Sequence, residues 1–98
     1  MSKVYISGKI SGLDYQEAYN KFEEAEKDVI QFGGVPVNPM KICGNNPDWT
    51  WEDYMDKDLA ALLRCEGIYM LNNWGASKGA RVEYAVAKEL GLTIVFQK

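Results

Sequence analysis

Ninety-eight residues fit one domain, and with 47% of them hydrophobic and 26% charged the chain can build a core without disulfide staples, which excludes a disordered or fibrous protein. A net charge of -3 with no long basic run argues against a protein that grips a polynucleotide backbone. The sequence has no histidine, so imidazole triads, histidine-ligated metals and imidazole pH switches are all excluded.

Lys3 to Ser7 (KVYIS) is a short apolar run ending in the glycine-rich turn Gly8-Lys9-Ile10-Ser11-Gly12, which predicts a first strand. Asp14 and Glu17 have the spacing of a capping box. Tyr15, Ala18, Tyr19, Phe22, Ala25 and Val29 then recur at intervals of three and four until Gly33-Gly34, which predicts an amphipathic helix with both ends marked. Val35-Pro36-Val37 is brief and carries a proline, so it can be a strand only at an edge or a strand start. Residues 38–48 are polar, with Pro39, Gly44 and Pro47, and read as a loop.

Thr50 is the expected cap of a second helix. Its buried stripe is expected from Tyr54, Met55, Leu59, Leu62 and Leu63, with Glu52, Asp53, Asp56, Lys57 and Arg64 facing water. Gly67 to Leu71 is a near-continuous apolar run, the pattern of a strand covered on both faces. Asn72 to Ala76 reads as a turn, and Ser77 as the cap of a last helix lined by Val82, Ala85, Val86 and Leu90 and stopped by Gly91. Leu92 to Phe96 is the fourth strand.

The alternation βαβαβαβ predicts a small doubly wound α/β domain over residues 1–98, of Rossmann or flavodoxin type, with four parallel strands in the order 2-1-3-4 and helices on both faces. In such a sheet a ligand sits beyond the carboxyl ends of the strands where the order reverses, between strands one and three. That rule singles out the loops Ser7 to Gly12 and Asn72 to Gly79. Gly8 and Gly12 would let a backbone approach a ligand, and the second loop opens a helix whose free amides favour an anion; either loop also reads as a plain turn.

Two acids stand out. Glu83 lies one to two turns into the last helix among Gly79, Ala80, Val86 and Ala87, where the helix dipole favours the ionised form; it is either aimed at a site or solvated near a helix start. Asp58 borders the apolar stripe of the second helix, where partial desolvation would raise its pKa enough for proton donation, with Asp56 as the competing candidate. Trp49 and Trp51 read as packing residues, and Trp74 as either packing or stacking on a base. Cys43 and Cys65 have no CxxC spacing, so a zinc site or redox pair has nothing to build on, and a reduced, cytoplasmic compartment is expected. The N-terminal stretch is interrupted by Gly8 and no window approaches eighteen apolar residues, so neither a signal peptide nor a membrane span is expected.

Three stretches taken together, Tyr5-Ile6-Ser7-Gly8-Lys9-Ile10-Ser11-Gly12, Asp58-Leu59 and Ser77-Lys78-Gly79-Ala80-Arg81-Val82-Glu83, resemble the nucleoside 2-deoxyribosyltransferase superfamily. Within it they are closest in motif to the 2'-deoxynucleoside 5'-monophosphate N-hydrolases and to small phage and bacterial homologues without an assigned function. The resemblance covers nearly the whole chain. It implies cleavage or transfer at the N-glycosidic bond of a deoxynucleoside 5'-monophosphate, with Glu83 as the nucleophile that forms a glycosyl-enzyme intermediate, Asp58 as the acid that assists departure of the base, and Tyr5 as the residue that positions the nucleophile. Ser7, Gly8, Lys9, Ile10 and Gly12 would surround base and sugar.

Ser77 is the discriminating position, because the nucleoside transferases carry an aspartate six residues before the nucleophile where the monophosphate hydrolases carry a serine. A carboxylate would repel a phosphate dianion, whereas Ser77, Gly79 and the nearby Lys78 would welcome it. No metal or organic cofactor is required for this chemistry. The expected partner is therefore a small deoxynucleotide or nucleoside, with no polynucleotide and no membrane, and the small aromatic-rich sheet points to a homodimer or higher homo-oligomer. A second reading of the same residues is a catalytically silent module that senses or sequesters a nucleotide.

Overall fold

In the computed structural model, which describes residues 2–98, every second residue of β1 (Lys3–Ser7) points to the same side of the sheet, and this alternation organises the molecule. Val4 and Ile6 pack with Ala18, Phe22, Ala25 and Val29 of α1 (Tyr15–Gln31) on one face. Tyr5 packs on the other with Leu62 of α3 (Trp51–Leu62) and with Ala80 and Ala87 of α4 (Lys78–Leu90). β3 (Gly67–Met70) alternates in the same way, Tyr69 toward α1 and Ile68 and Met70 toward α3 and α4. The sheet is thus buried on both sides, as its near-continuous apolar strands require.

All pairings are parallel and the order is β2-β1-β3-β4, with β2 (Val35–Val37) and β4 (Thr93–Phe96) at the edges. The expected 2-1-3-4 order and edge position of the proline strand are what the structure has. Register aligns Tyr5 with Ile68 and Ser7 with Met70, so the carboxyl ends of β1 and β3 finish side by side at the switch point. α1 ends in a Schellman motif: Gly34 donates its N–H to the Val29 carbonyl (2.9 Å) and Gly33 to that of Ile30 (3.0 Å), with Gly33 at φ 95, a conformation that only glycine adopts cheaply. At the other end Asp14 accepts the Glu17 N–H (3.1 Å), and the reciprocal capping box occurs instead at Thr50 and Asp53.

Four local expectations are corrected. Residues 38–48 are not all loop: Asn38 accepts the Met40 N–H at 3.0 Å, Pro39 stands at the first helical position, and Pro39–Cys43 forms a short helix, α2, closed by Gly44 at φ 68. With a single buried apolar anchor after its proline, Met40, five residues are too few to show a helical period. Trp74–Ala76 is one turn of 3-10 helix where a simple turn was expected. Leu63 is 61% exposed and the buried set of α3 is Met55, Asp58 and Leu62; likewise Ala85 and Leu90 face solvent and the buried set of α4 is Ala80, Glu83 and Ala87. Both stripes follow i, i+3, i+7 with an acid in the middle, and a stripe traced through apolar residues alone comes out rotated.

Candidate active site

Tyr5 and Ser7, two apart at the end of β1, share the face of the sheet that α4 covers. Both hydroxyls donate to one carboxylate: Tyr5 to Oε2 of Glu83 at 2.8 Å and Ser7 to Oε1 at 2.6 Å. Glu83 is only 5% exposed, and Tyr5 and Ser7 are buried. Among the described residues no buried side-chain nitrogen or oxygen lacks a hydrogen-bond partner, so this polar cluster inside an apolar core is fully satisfied.

The carboxylate forms part of the wall of a cavity of about 260 Å³ between α1 and α2 on one side and α3 and α4 on the other. Tyr5, Gly8 and Ile10 of β1 and its following loop line it, with Tyr15 and Phe22 of α1, Met40 and Cys43 of α2, and Trp51, Tyr54, Met55 and Asp58 of α3. Gly79 and Ala80 complete the wall beside Glu83. The lining is mostly apolar with a few convergent polar groups, the usual make-up of a small-molecule site.

Two carboxyls therefore face one cavity, and both hold protons more tightly than free acids do. Burial is the largest cause for Glu83 and pushes it up to about 7, with the nearby charge of Asp58 acting in the same direction and the Ser7 and Tyr5 hydroxyls opposing. Burial likewise pushes Asp58 up to about 6. The expectation that the α4 dipole would keep Glu83 ionised is corrected here. The dipole decays within the first turn, Glu83 lies beyond it as the sixth residue of α4, and desolvation wins. The expected rise for Asp58 is what the structure gives, and Asp56, its rival, is exposed. Tyr5 is raised well above its ordinary range by burial first and by the charge of Glu83 second, so it is a permanent donor.

The other expected site residues divide. Gly8, Ile10 and Gly79 reach the cavity; Ser7, Lys9, Gly12 and Ser77 are not among its lining residues. Ser7, 1% exposed, spends its hydroxyl on Glu83. The Lys9 N–H donates to Oδ1 of Asn73 at 3.0 Å and ties the loop after β1 to the loop after β3. Gly8 is required by packing as much as by any ligand, since a Cβ there would lie 2.6 Å from Leu71 Cδ1, and Gly12 serves a turn at φ 85.

Ser77 caps α4, its Oγ accepting the Ala80 N–H at 3.2 Å, while the Arg81 N–H goes to the Ser77 carbonyl. The Lys78 and Gly79 amides are the two at this helix start that neither bond engages.

Sequence reasoning found Asp58 but missed the rest of the α3 wall. Trp51, read as packing, lines the cavity and carries the Lys78 ammonium 4.3 Å from its ring centroid. The available signal was spacing, because Trp51, Met55 and Asp58 stand at i, i+4, i+7 on one face of α3. Trp49 does pack, edge-on against Tyr54 at 5.0 Å between centroids, and Trp74 stacks on Tyr84 at 4.7 Å, away from the cavity.

No helix among the described residues is long and apolar enough to cross a membrane. Among solved structures the fold is similar to a 2-deoxyribosyltransferase from Bacillus psychrosaccharolyticus, described as a biocatalyst for nucleoside synthesis, with TM-score 0.67 and 15% identity over 97% of this chain and 71% of that one. It is also similar to a 2-deoxyribosyltransferase from Leishmania mexicana, with TM-score 0.68 and 19% identity over 98% of this chain and 63% of that one. At such identities the likeness establishes a common α/β fold, and the chain spans under two thirds of the Leishmania protein. No curated protein sequence matches the chain. A family model described as a domain of unknown function, DUF4406, matches residues 2–96, and the chain belongs to that family.

Proposed function

We propose that the protein cleaves or transfers at the N-glycosidic bond of a 2'-deoxynucleoside 5'-monophosphate. The observation that carries this reading is a buried Glu83 carboxylate at the wall of a cavity, held on both oxygens by Tyr5 and Ser7, with a second proton-holding acid, Asp58, in the same wall. A pure binder has no need of a carboxylate aimed at an anomeric carbon. A glycoside-cleaving enzyme does, since one acid must stabilise and capture the sugar cation while the other protonates the leaving group. The fold likeness to two deoxyribosyltransferases supports the same direction.

In this mechanism the reactive form carries one proton, on Asp58, with Glu83 ionised; since Glu83 holds a proton more tightly than Asp58 in the free protein, this is the less populated of the two singly protonated arrangements. Asp58 gives its proton to the departing base as the C1'–N bond breaks, and Glu83 forms the C1'–O bond of a glycosyl ester. Water or a second base then attacks C1', Glu83 leaves, and Asp58 takes up the proton released by the acceptor. Tyr5 and Ser7 hold the attacking carboxylate in one orientation throughout. The 5'-phosphate lies at the start of α4, where the Lys78 and Gly79 amides and the Lys78 ammonium favour an anion, with the Ser77 hydroxyl at the cap.

The test incubates purified protein with each deoxynucleoside 5'-monophosphate and follows free base by chromatography. Wild type is expected to release base, and Glu83→Gln to lose about 10³-fold or more of that rate. Adding a second free base separates transfer from hydrolysis. Nucleotide binding without base release, the same in wild type and Glu83→Gln, would replace the enzyme with a nucleotide-sensing module.

A further inference from the structure

We propose that Cys43 is a positioning residue for Asp58: its thiol donates a hydrogen bond that fixes the direction of that carboxyl in the cavity and sets how readily it parts with its proton. The inference rests on Asp58 acting as the acid of the reaction proposed above.

Cys43 ends α2, half-buried in the cavity wall, with its Sγ 3.4 Å from Oδ1 of Asp58. It is the one side-chain donor to Asp58 among the described residues. The thiol is held in place from both sides. The Gly44 N–H bonds the Met40 carbonyl and closes the helix, and the Asn46 side chain donates to the Cys43 carbonyl while its own backbone is clamped by the Tyr54 hydroxyl. This fastening of α2 to α3 places Sγ against the carboxyl.

Burial, with the Asp58 charge second, pushes the thiol up to about 12, so wherever Asp58 titrates the sulfur still carries the proton that it donates to the Asp58 anion. Other titratable groups act on the pair from each packed element. Tyr5 on β1 stays neutral, Lys57 on α3 eases ionisation of Cys43, and Glu83 on α4 opposes it; the Tyr54 hydroxyl is occupied by Asn46.

A thiol is a weak donor, and its weakness is the point. A stronger O–H or N–H donor at this position would favour the Asp58 anion more and take back more of the rise that burial produces. No donor at all would leave the carboxyl free to rotate. An S–H orients the acid while conceding little of the rise that burial produces, and in the balance of effects on Asp58 burial comes first and the Cys43 bond is the opposing contribution.

The test follows the ¹³C carboxyl resonance of Asp58 through a pH titration in wild type, Cys43→Ser and Cys43→Ala, with Asp58→Asn to assign the signal, beside the pH dependence of base release. Cys43→Ser, a better donor of nearly the same shape, is expected to lower the Asp58 midpoint by about half a unit or more, and Cys43→Ala, which has no donor, to raise it. The acidic limb of base release is expected to move with it. Opposite shifts in the two variants support the assignment even in a protein that releases no base, since the titration needs no substrate. Midpoints within about 0.2 unit of wild type in both variants, or displaced in the same direction as a general loosening would give, overturn it.

Discussion

Glu83 stands in the sequence as one of fourteen acids, and its burial, not its identity, makes it chemically distinct. A carboxyl whose pKa is about 7 when folded and near 4.5 when unfolded keeps a proton in the native state over a range where the unfolded chain has released it. Its contribution to stability is fully present below about 4.5 and is lost as pH rises through about 7. Integrated over that window the loss reaches about 3 kcal/mol in wild type. Glu83→Gln removes the ionisation and keeps an acceptor oxygen for one of its two hydroxyl partners. It is expected to melt about 5 °C or more above wild type at pH 8, with the gap closing toward pH 5, by calorimetry across that range. A gap of constant size at all pH values would show that the strain of the site, rather than the ionisation of this acid, limits stability. The sequence could place Glu83 on the right helix and beside small residues. It could not weigh the helix dipole against desolvation, because that balance depends on the sheet face and on the Tyr5 and Ser7 hydroxyls brought from 76 or more residues away.

At the scale of elements, α1 was legible almost residue for residue because its cap, apolar period and Gly33-Gly34 stop agree. α2 was not, since Asn38 and Pro39 signal a helix start but nothing after them has length enough to confirm it. The stripes of α3 and α4 were read with the wrong phase for a reason that bears on function. Each carries its candidate acid, Asp58 or Glu83, in the middle of the buried stripe, and a hydropathy pattern assigns such a residue to water. α3 also has the firmest start, a reciprocal box in which Thr50 Oγ1 accepts the Asp53 N–H at 3.2 Å and the Thr50 N–H donates to Asp53 at 2.8 Å. Because Trp51, Met55 and Asp58 are placed by the turns that follow, this cap anchors one wall of the cavity. Thr50→Ala is expected to lower unfolding free energy by about 1 kcal/mol, measured by urea denaturation as a lower midpoint at unchanged slope. No loss would mean that packing of Met55 and Leu62 alone fixes the helix start.

For the whole molecule, the parallel sheet with its right-handed crossovers followed from the alternation of elements, and the doubly wound order 2-1-3-4, which was assumed for it and which the structure has, brings the ends of β1 and β3 together. The cavity was less legible, since its wall draws on β1, α1, α2, α3 and α4, and the α2 and Trp51 contributions carry no motif. A chain of this size buries roughly two thirds of its unfolded surface, so its stability is small and a ligand touching five elements should weigh heavily in it. A deoxynucleoside 5'-monophosphate held at 100 times its Kd stabilises the folded state by about 2.7 kcal/mol, which for a domain this small corresponds to a rise in Tm of about 10 °C or more. Glu83→Gln is the protein to use, because it binds without consuming the nucleotide. The matching nucleoside, lacking the anion for the start of α4, is expected to give a smaller rise at equal concentration. Amide exchange in the bound state should slow most in α2, along residues 51–58 and at residues 79–83, and in β4, which contributes nothing to the wall, only by as much as the gain in global stability requires. No extra protection of the wall segments beyond that of β4 would mean that the nucleotide does not bind in this cavity.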